Sequence, residues 1–226
     1  MNGKAIIVTG AFGALGRALC EAAKARGVRV AALDFAPAPE GFGAEFAQGG
    51  VDLTRADLAK SAIDSAAHSL GKVDGLANIA GGFSWEKIEG GDPDTWDKMF
   101  LINLKTAANA SAAAIPHLKA TKGRILNVGA NAAAIPAGAG MGPYAASKAA
   151  VHKLTESLAD ELKAADVAVN AIMPSVLDTP ANRADMPKAD PSKWVSPAEL
   201  AGIILFLLSD EARPITGALI PVVGRV

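Results

Sequence analysis

Short β-branched runs alternate with alanine-rich stretches of helical period along the whole chain. "KAIIVT" (4–9) is almost unbroken apolar sequence and predicts a buried strand. "ALGRALCEAAKARG" (14–27) predicts a helix closed by Gly27. The pair then repeats. "VRVAALD" (28–34) is a strand, and "AEFAQGGVDLT" (44–54) holds a short third strand and its exit loop. "RADLAKSAIDSAAHSLG" (55–71) is a helix and "VDGLANIAG" (73–81) a fourth strand. A long helix is expected from about Asp94 to Leu118, then a strand in "GRILNVG" (123–129). "YAASKAAVHKLTESLADELKAA" (144–165) sets Val151, Leu154, Leu158 and Leu162 on one helix face. "VAVNAIM" (167–173) is a sixth strand. "SPAELAGIILFLLSDEA" (196–212) opens on Ser196 with proline in the first turn and Glu199 three positions on, the pattern of a capping box. "GALIPVV" (217–223) is a last strand, which Pro221 places at or near a sheet edge.

Such alternation predicts an α/β fold: a doubly wound parallel sheet of about seven strands with helices on both faces. No stretch is rich enough in proline or glycine to divide the chain, so residues 1–226 are expected to form a single domain. One segment breaks the rhythm. Residues 176–195 are polar, carry Pro180, Pro187 and Pro191, and are too long for an ordinary connection, so they read as a lid or as a passive surface loop.

Composition narrows the class. Half of the 226 residues are hydrophobic, enough for a sizeable core. The net charge is −1 with the signs interspersed; no basic tract suits a nucleic acid and no basic cluster suits a membrane. Cys20 is alone, which rules out an internal disulfide and a cysteine metal site. The N-terminal apolar run is too short for a signal peptide, and the longest apolar run, "AGIILFLLS" (201–209), is about half of a bilayer span. A cytoplasmic protein is the expectation. His68, His117 and His152 lie singly in helices without metal-ligand spacing and read as surface or packed histidines.

Candidate chemistry sits at two places. "VTGAFGALG" leaves the first strand and enters the first helix with Gly10, Gly13 and Gly16 spaced three apart. Glycines there let backbone N–H groups approach a pyrophosphate, and the helix N-terminus adds positive potential. Asp34 ends the second strand, where a carboxylate accepts from an adenosine ribose and repels a 2′-phosphate. That favours NAD(H); Arg17 and Arg29 leave NADP(H) open. The second place is "GPYAASKAAVHKL" (142–154), which holds the chain's one tyrosine, Tyr144, with Lys148 one helical turn away. A free phenol is a poor acid or base near neutrality, and an adjacent ammonium favours the phenolate. Tyr144 is thereby a candidate to give a proton to a carbonyl oxygen or take one from an alcohol.

These residues, together with "VDLT" (51–54), "NIAG" (78–81), "NLK" at Asn103, "NAIMPS" and the ending "ITGALIPVVG", resemble the short-chain dehydrogenase/reductase family over essentially the whole chain. The resemblance implies a Rossmann fold, a nicotinamide cofactor, a small-molecule substrate and a homodimer or homotetramer. It implies that Phe12, Ala14 and Leu15 join the three glycines at the cofactor. Asp52 and Leu53 would sit at the adenine. Asn78, Ala80 and Gly81 would pack along the cofactor and support the central strands. Asn103 would hold a water in a proton relay with Lys148, which also holds the nicotinamide ribose, and Pro174 and Thr179 would flank the carboxamide.

The chain departs from the family pattern in two ways. Ala14 stands where the glycine turn has its second glycine, and the serine that holds the substrate oxygen is missing, with no Ser or Thr between Gly123 and Tyr144. Ala130 takes its place by strand register, Asn131 by counting back from Tyr144. Either Asn131 donates through its amide or the substrate needs less polarisation. Within the family, the dihydropteridine reductases also have a "GALG" turn and alanine at the serine position, and their lid is similar to "LDTPANRADMPKADPSKW". That resemblance implies an electron-poor, quinonoid substrate. Trp85 and Trp194 are candidates to line an apolar pocket, and Asn182 and Arg183 to meet a polar substrate. Two other readings stand beside it: a general ketone reductase or alcohol dehydrogenase using Asn131, and a nucleotide-binding regulatory protein without turnover.

Overall fold

The first strand, β1 (Ala5–Thr9), is buried along its whole length, and its alternate residues serve opposite sides of the molecule. Ala5 and Ile7 enter one apolar cluster; Ile6 and Val8 enter the other. A strand feeding two cores needs helices on both faces, and the computed structural model, which describes residues 1–226, has them. Beneath one face lie α2 (Ala56–Leu70), α4 (Thr106–Thr121) and α5 (Gly142–Leu162). Against the other lie α1 (Ala14–Ala25) and α7 (Pro197–Leu207).

The remaining strands are β2 (Arg29–Leu33), β3 (Phe46–Gln48), β4 (Gly75–Asn78), β5 (Arg124–Val128), β6 (Ala168–Pro174) and β7 (Leu219–Val222). All pair in parallel in the order β3-β2-β1-β4-β5-β6-β7. The winding reverses between β1 and β4. A crevice opens outside the carboxyl ends of the strands at such a reversal, and this is where doubly wound sheets place their ligands. Both edges are blunt: β3 has only three residues, and β7 carries Pro221 opposite Met173.

The expected elements are present, most strands being shorter than their apolar runs. The capping box at Ser196 is formed in both directions, with Ser196 Oγ accepting the Glu199 N–H at 3.2 Å and Glu199 Oε2 accepting the Ser196 N–H at 2.9 Å. The long helix expected from Asp94 is not uniform. It runs as α3 (Asp94–Met99), a π-helical stretch (Phe100–Lys105) and α4. The wider turn carries Asn103, whose amide is bonded outside the helix; bulges of this kind gather at functional sites. Residues 176–195 close on themselves. Leu177 and Val195 form an isolated parallel bridge, and the segment between holds the single-turned α6 (Pro180–Asp185) and a 3-10 turn (Pro191–Lys193). No helix is long and apolar enough to cross a membrane.

Candidate active site

The glycine turn shows which of its glycines are sterically required. Gly10 has φ +65, and a Cβ there would stand 2.7 Å from the backbone nitrogen of Ala80. A Cβ on Gly16 would overlap the Gly10 carbonyl oxygen and stand 2.6 Å from the Ala11 Cα. Gly13 differs: its added Cβ would meet only the Gly10 oxygen at 3.5 Å, an ordinary contact. The glycine triplet expected from spacing therefore reduces to a pair. Gly13 caps α1 without any side-chain bond, so the first N–H groups of that helix have no capping side chain. A tight turn with an uncapped helix N-terminus fits a pyrophosphate.

Asp34 lies beside this turn. Its Oδ2 accepts the Phe12 N–H at 2.7 Å and its Oδ1 the Ala36 N–H at 2.9 Å, which fixes the carboxylate at the end of β2. Arg29 is at the opposite end of that strand, bonded to the Leu70 carbonyl. Arg17 donates Nε to the Phe12 carbonyl and covers the Phe42 ring. Several residues expected at the cofactor have their side chains elsewhere. Phe12, Leu15 and Leu53 are core residues, so only their backbone can face a nucleotide, and Phe12 stacks edge-on with Phe42. Ala14 is exposed, and Asp52 accepts from both the backbone and the hydroxyl of Thr54. Asn78 braces the central strands with its side chain. Its amide donates to Ser111 Oγ at 2.9 Å and Asn127 Oδ1 at 2.8 Å, inside the sheet–helix layer.

The exit of β4 joins the turn to the second motif. Thr9 Oγ1 accepts the N–H groups of Ile79 and Ala80, and Ala80 packs against Gly10. A Cβ on the next residue, Gly81, would overlap Asn103 Oδ1 and come 3.5 Å from Lys148 Nζ. Asn103 bonds Gly82 in both directions, at 3.0 and 3.1 Å, and donates to Ser147 Oγ at 3.0 Å. Its side chain thus braces the β4 exit to α5. Thr9 and Ser147 are positioning residues that sequence reasoning missed; a Thr directly before the first glycine was the available signal for one of them.

Tyr144 and Lys148 share a face of α5 at this junction. Lys148 is 6% exposed and donates to the Val128 carbonyl at 2.8 Å. The expected acidification of the phenol is not what this arrangement produces. Burial raises Tyr144 to about 12, and burial lowers Lys148 to about 8. The Lys148 ammonium is turned to the Val128 carbonyl oxygen. The phenol is accordingly held protonated at neutral pH, which suits a proton donor better than a base.

Asn131 opens a 3-10 turn (Asn131–Ala133) after β5 and is half-buried, whereas Ala130 is buried. Pro174 ends β6, and Thr179 caps α6, its hydroxyl accepting the Asn182 N–H. Of the residues expected at the substrate, two have another partner or little free surface. Asn182 spends its amide on the Leu177 carbonyl at 2.8 Å, and Trp194, 8% exposed, has almost no surface to offer. Arg183 is paired in two places with Asp178. Trp85 fares differently: it is half-exposed and lies so close to Gly140 that a Cβ there would overlap its ring. Phe83, unremarked in the sequence, stacks edge-on with Tyr144 at 5.0 Å between centroids and is also exposed. An aromatic wall thus borders the phenol.

Comparison with known proteins shows the family. A family model described as short chain dehydrogenase matches residues 4–190. The 2-(S)-hydroxypropyl-CoM dehydrogenase 3 of Xanthobacter autotrophicus is 30% identical, covering 99% of this chain and 96% of its own. The ligand-free aldohexose dehydrogenase of Thermoplasma acidophilum superposes with a TM-score of 0.89 at 29% identity over 99% of this chain and 94% of that one. The 3-ketoacyl-(acyl-carrier-protein) reductase of Brucella melitensis, complexed with NADH, gives 0.84 at 27% identity over 99% and 98%.

Proposed function

Because the chain belongs to the short chain dehydrogenase family, we propose that it is an NAD(H)-dependent oxidoreductase acting on a small, flat, cyclic carbonyl or quinonoid compound of the dihydropteridine type. The reading rests chiefly on the buried Lys148 one helical turn from Tyr144, meeting the glycine turn across Ala80 and Gly81. The nicotinamide, when bound, supplies or accepts the hydride. Gly10, Gly16 and the α1 N-terminus hold the pyrophosphate, Asp34 the adenosine ribose, Asp52 the adenine side, and Ala80, Gly81, Pro174 and Thr179 the nicotinamide side. Tyr144 delivers the proton to the substrate atom that gains negative charge, and Lys148 stabilises the phenolate left behind. Phe83 and Trp85 offer faces for a planar ring to stack upon. Residues 176–195 cover the site as a lid. An electron-poor substrate explains why no serine is needed beside Tyr144. The family resemblance further supports a cytoplasmic homodimer or homotetramer.

A second reading, a keto or secondary-alcohol substrate polarised by Asn131, is favoured by the partial exposure of that residue and by the names of the relatives. NADH oxidation measured with a quinonoid dihydropteridine and with simple and cyclic ketones separates the two. Turnover of ketones alone rejects the first reading, and NADH binding without turnover of either rejects both.

Cofactor choice gives a sharper test. Asp34→Ser removes the charge that opposes a 2′-phosphate, and like-charge contacts of this kind cost enough to predict about a tenfold or larger shift of the NADPH-to-NADH affinity ratio towards NADPH. Fluorescence quenching by each cofactor measures it. An unchanged ratio would remove Asp34 from the ribose site.

A further inference from the structure

One buried titratable side chain has no part in the chemistry described so far. His152 lies one turn beyond Lys148 on α5 and is 5% exposed. The Ala130 N–H donates to its Nε2 at 3.3 Å, so that nitrogen carries a lone pair and the neutral ring keeps its proton on Nδ1. The chain leaving β5 is shaped around the imidazole. A Cβ on Gly129 would overlap Nε2 and stand 2.6 Å from Cδ2, and the Gly129 N–H is bonded to the Ile172 carbonyl of β6 at 2.9 Å. One residue earlier, the Val128 carbonyl accepts Lys148 Nζ. Adjacent turns of one helix therefore grip Val128, Gly129 and Ala130 in succession, and Asn131 follows.

We propose that His152 is a positioning residue: by accepting the Ala130 N–H it holds the β5 exit, and with it Asn131 and the Val128 carbonyl, in register with Tyr144 and Lys148. This rests on the reading of Tyr144 and Lys148 given above. The charged groups around the ring are Lys148, Lys153 and Glu156 of α5, while β5 and β6 present backbone at Gly129, Ala130 and Ile172. Burial first, and then the Lys148 charge, keep the imidazole below the ordinary histidine range, against a smaller opposite pull from Glu156. The acceptor is thus present at neutral pH. Protonation in acid removes it and sets a second cation beside Lys148, so turnover falls as pH drops below the histidine range.

Two variants of the full chain test this. His152→Leu keeps bulk and removes the acceptor; His152→Gln supplies an acceptor that does not titrate. The leucine variant is expected to lose about tenfold in kcat, the worth of one buried hydrogen bond, with NADH affinity unchanged and faster hydrogen exchange at the Ala130 amide. The glutamine variant is expected to recover kcat and amide protection and to lose the acid limb of the pH profile. Ala130 exchange and the nitrogen chemical shift of His152 Nε2 need no substrate. Equal Ala130 exchange in all three proteins, or an Nε2 that is protonated at neutral pH, overturns the proposal. So does an acid limb retained by the glutamine variant, which decides the matter if the leucine variant does not fold. Tyr144→Phe, assayed alongside, keeps the two ideas apart: activity retained there defeats the Tyr144 reading, while Ala130 exchange still judges His152.

Discussion

Tyr144→Phe is expected to lower kcat by about 10²–10⁴-fold, the usual contribution of a positioned acid or base, while NADH quenching stays as in the parent chain. The ring remains to stack on Phe83, so the loss isolates the hydroxyl. Because burial holds the phenol up at about 12, it enters the reduction direction already protonated, and the reduction rate should be flat through neutral pH. Oxidation requires the proton to leave first and should rise with pH. The ammonium that eases this departure is itself held down at about 8, so it is charged below that pH and fades above it. Lys148→Met should therefore cost more at pH values below its titration than above. Kinetics in both directions with the accepted substrate decide the point. A phenylalanine variant with parental turnover would end the assignment of Tyr144 as the proton donor.

Gly16→Ala is expected to do its damage by another route. The added Cβ would meet the Gly10 carbonyl oxygen and the Ala11 backbone, neither of which can swing aside as a side chain does. Overpacking of this kind costs about 1–3 kcal/mol, and each kcal/mol lowers the melting temperature by about 2–4 °C in a chain of this size. The turn that must shift is the one assigned to the pyrophosphate, so NADH affinity should fall by more than about tenfold, one lost hydrogen bond to a charged group being worth that much. Gly13→Ala is the control, with φ −75 and a nearest contact of 3.5 Å, and should leave both melting and NADH binding as they were. If the two variants behave alike, sterics at Gly16 do not govern the turn.

The strand–helix alternation was legible because buried parallel strands and alanine-rich helices leave different periods in the chain. The glycine turn, Asp34 and the Tyr144–Lys148 spacing were legible because each is local. What escaped was long-range. His152 looks bland in sequence since its partner is a backbone N–H of a remote strand exit. The π-helical stretch answers to Gly82 and Ser147, both distant along the chain. Asn78 braces the sheet through Ser111 and Asn127, which periodicity cannot bring beside it. Asn182 turns its side-chain amide to the Leu177 carbonyl, a bond that no local pattern announces. The phenol's acidity was misjudged because spacing reports proximity and says nothing of desolvation.

Both margins of the sheet are poor templates for backbone pairing. A three-residue β3 leaves few free amides on one side, and on the other Pro221 removes an N–H from the outermost strand. Continuous hydrogen bonding from one copy of the chain into the next is therefore disfavoured at either margin. Self-association would have to be side chain on side chain through helical or loop surfaces, and it should accordingly dissolve without any loss of the amide protection within the strands.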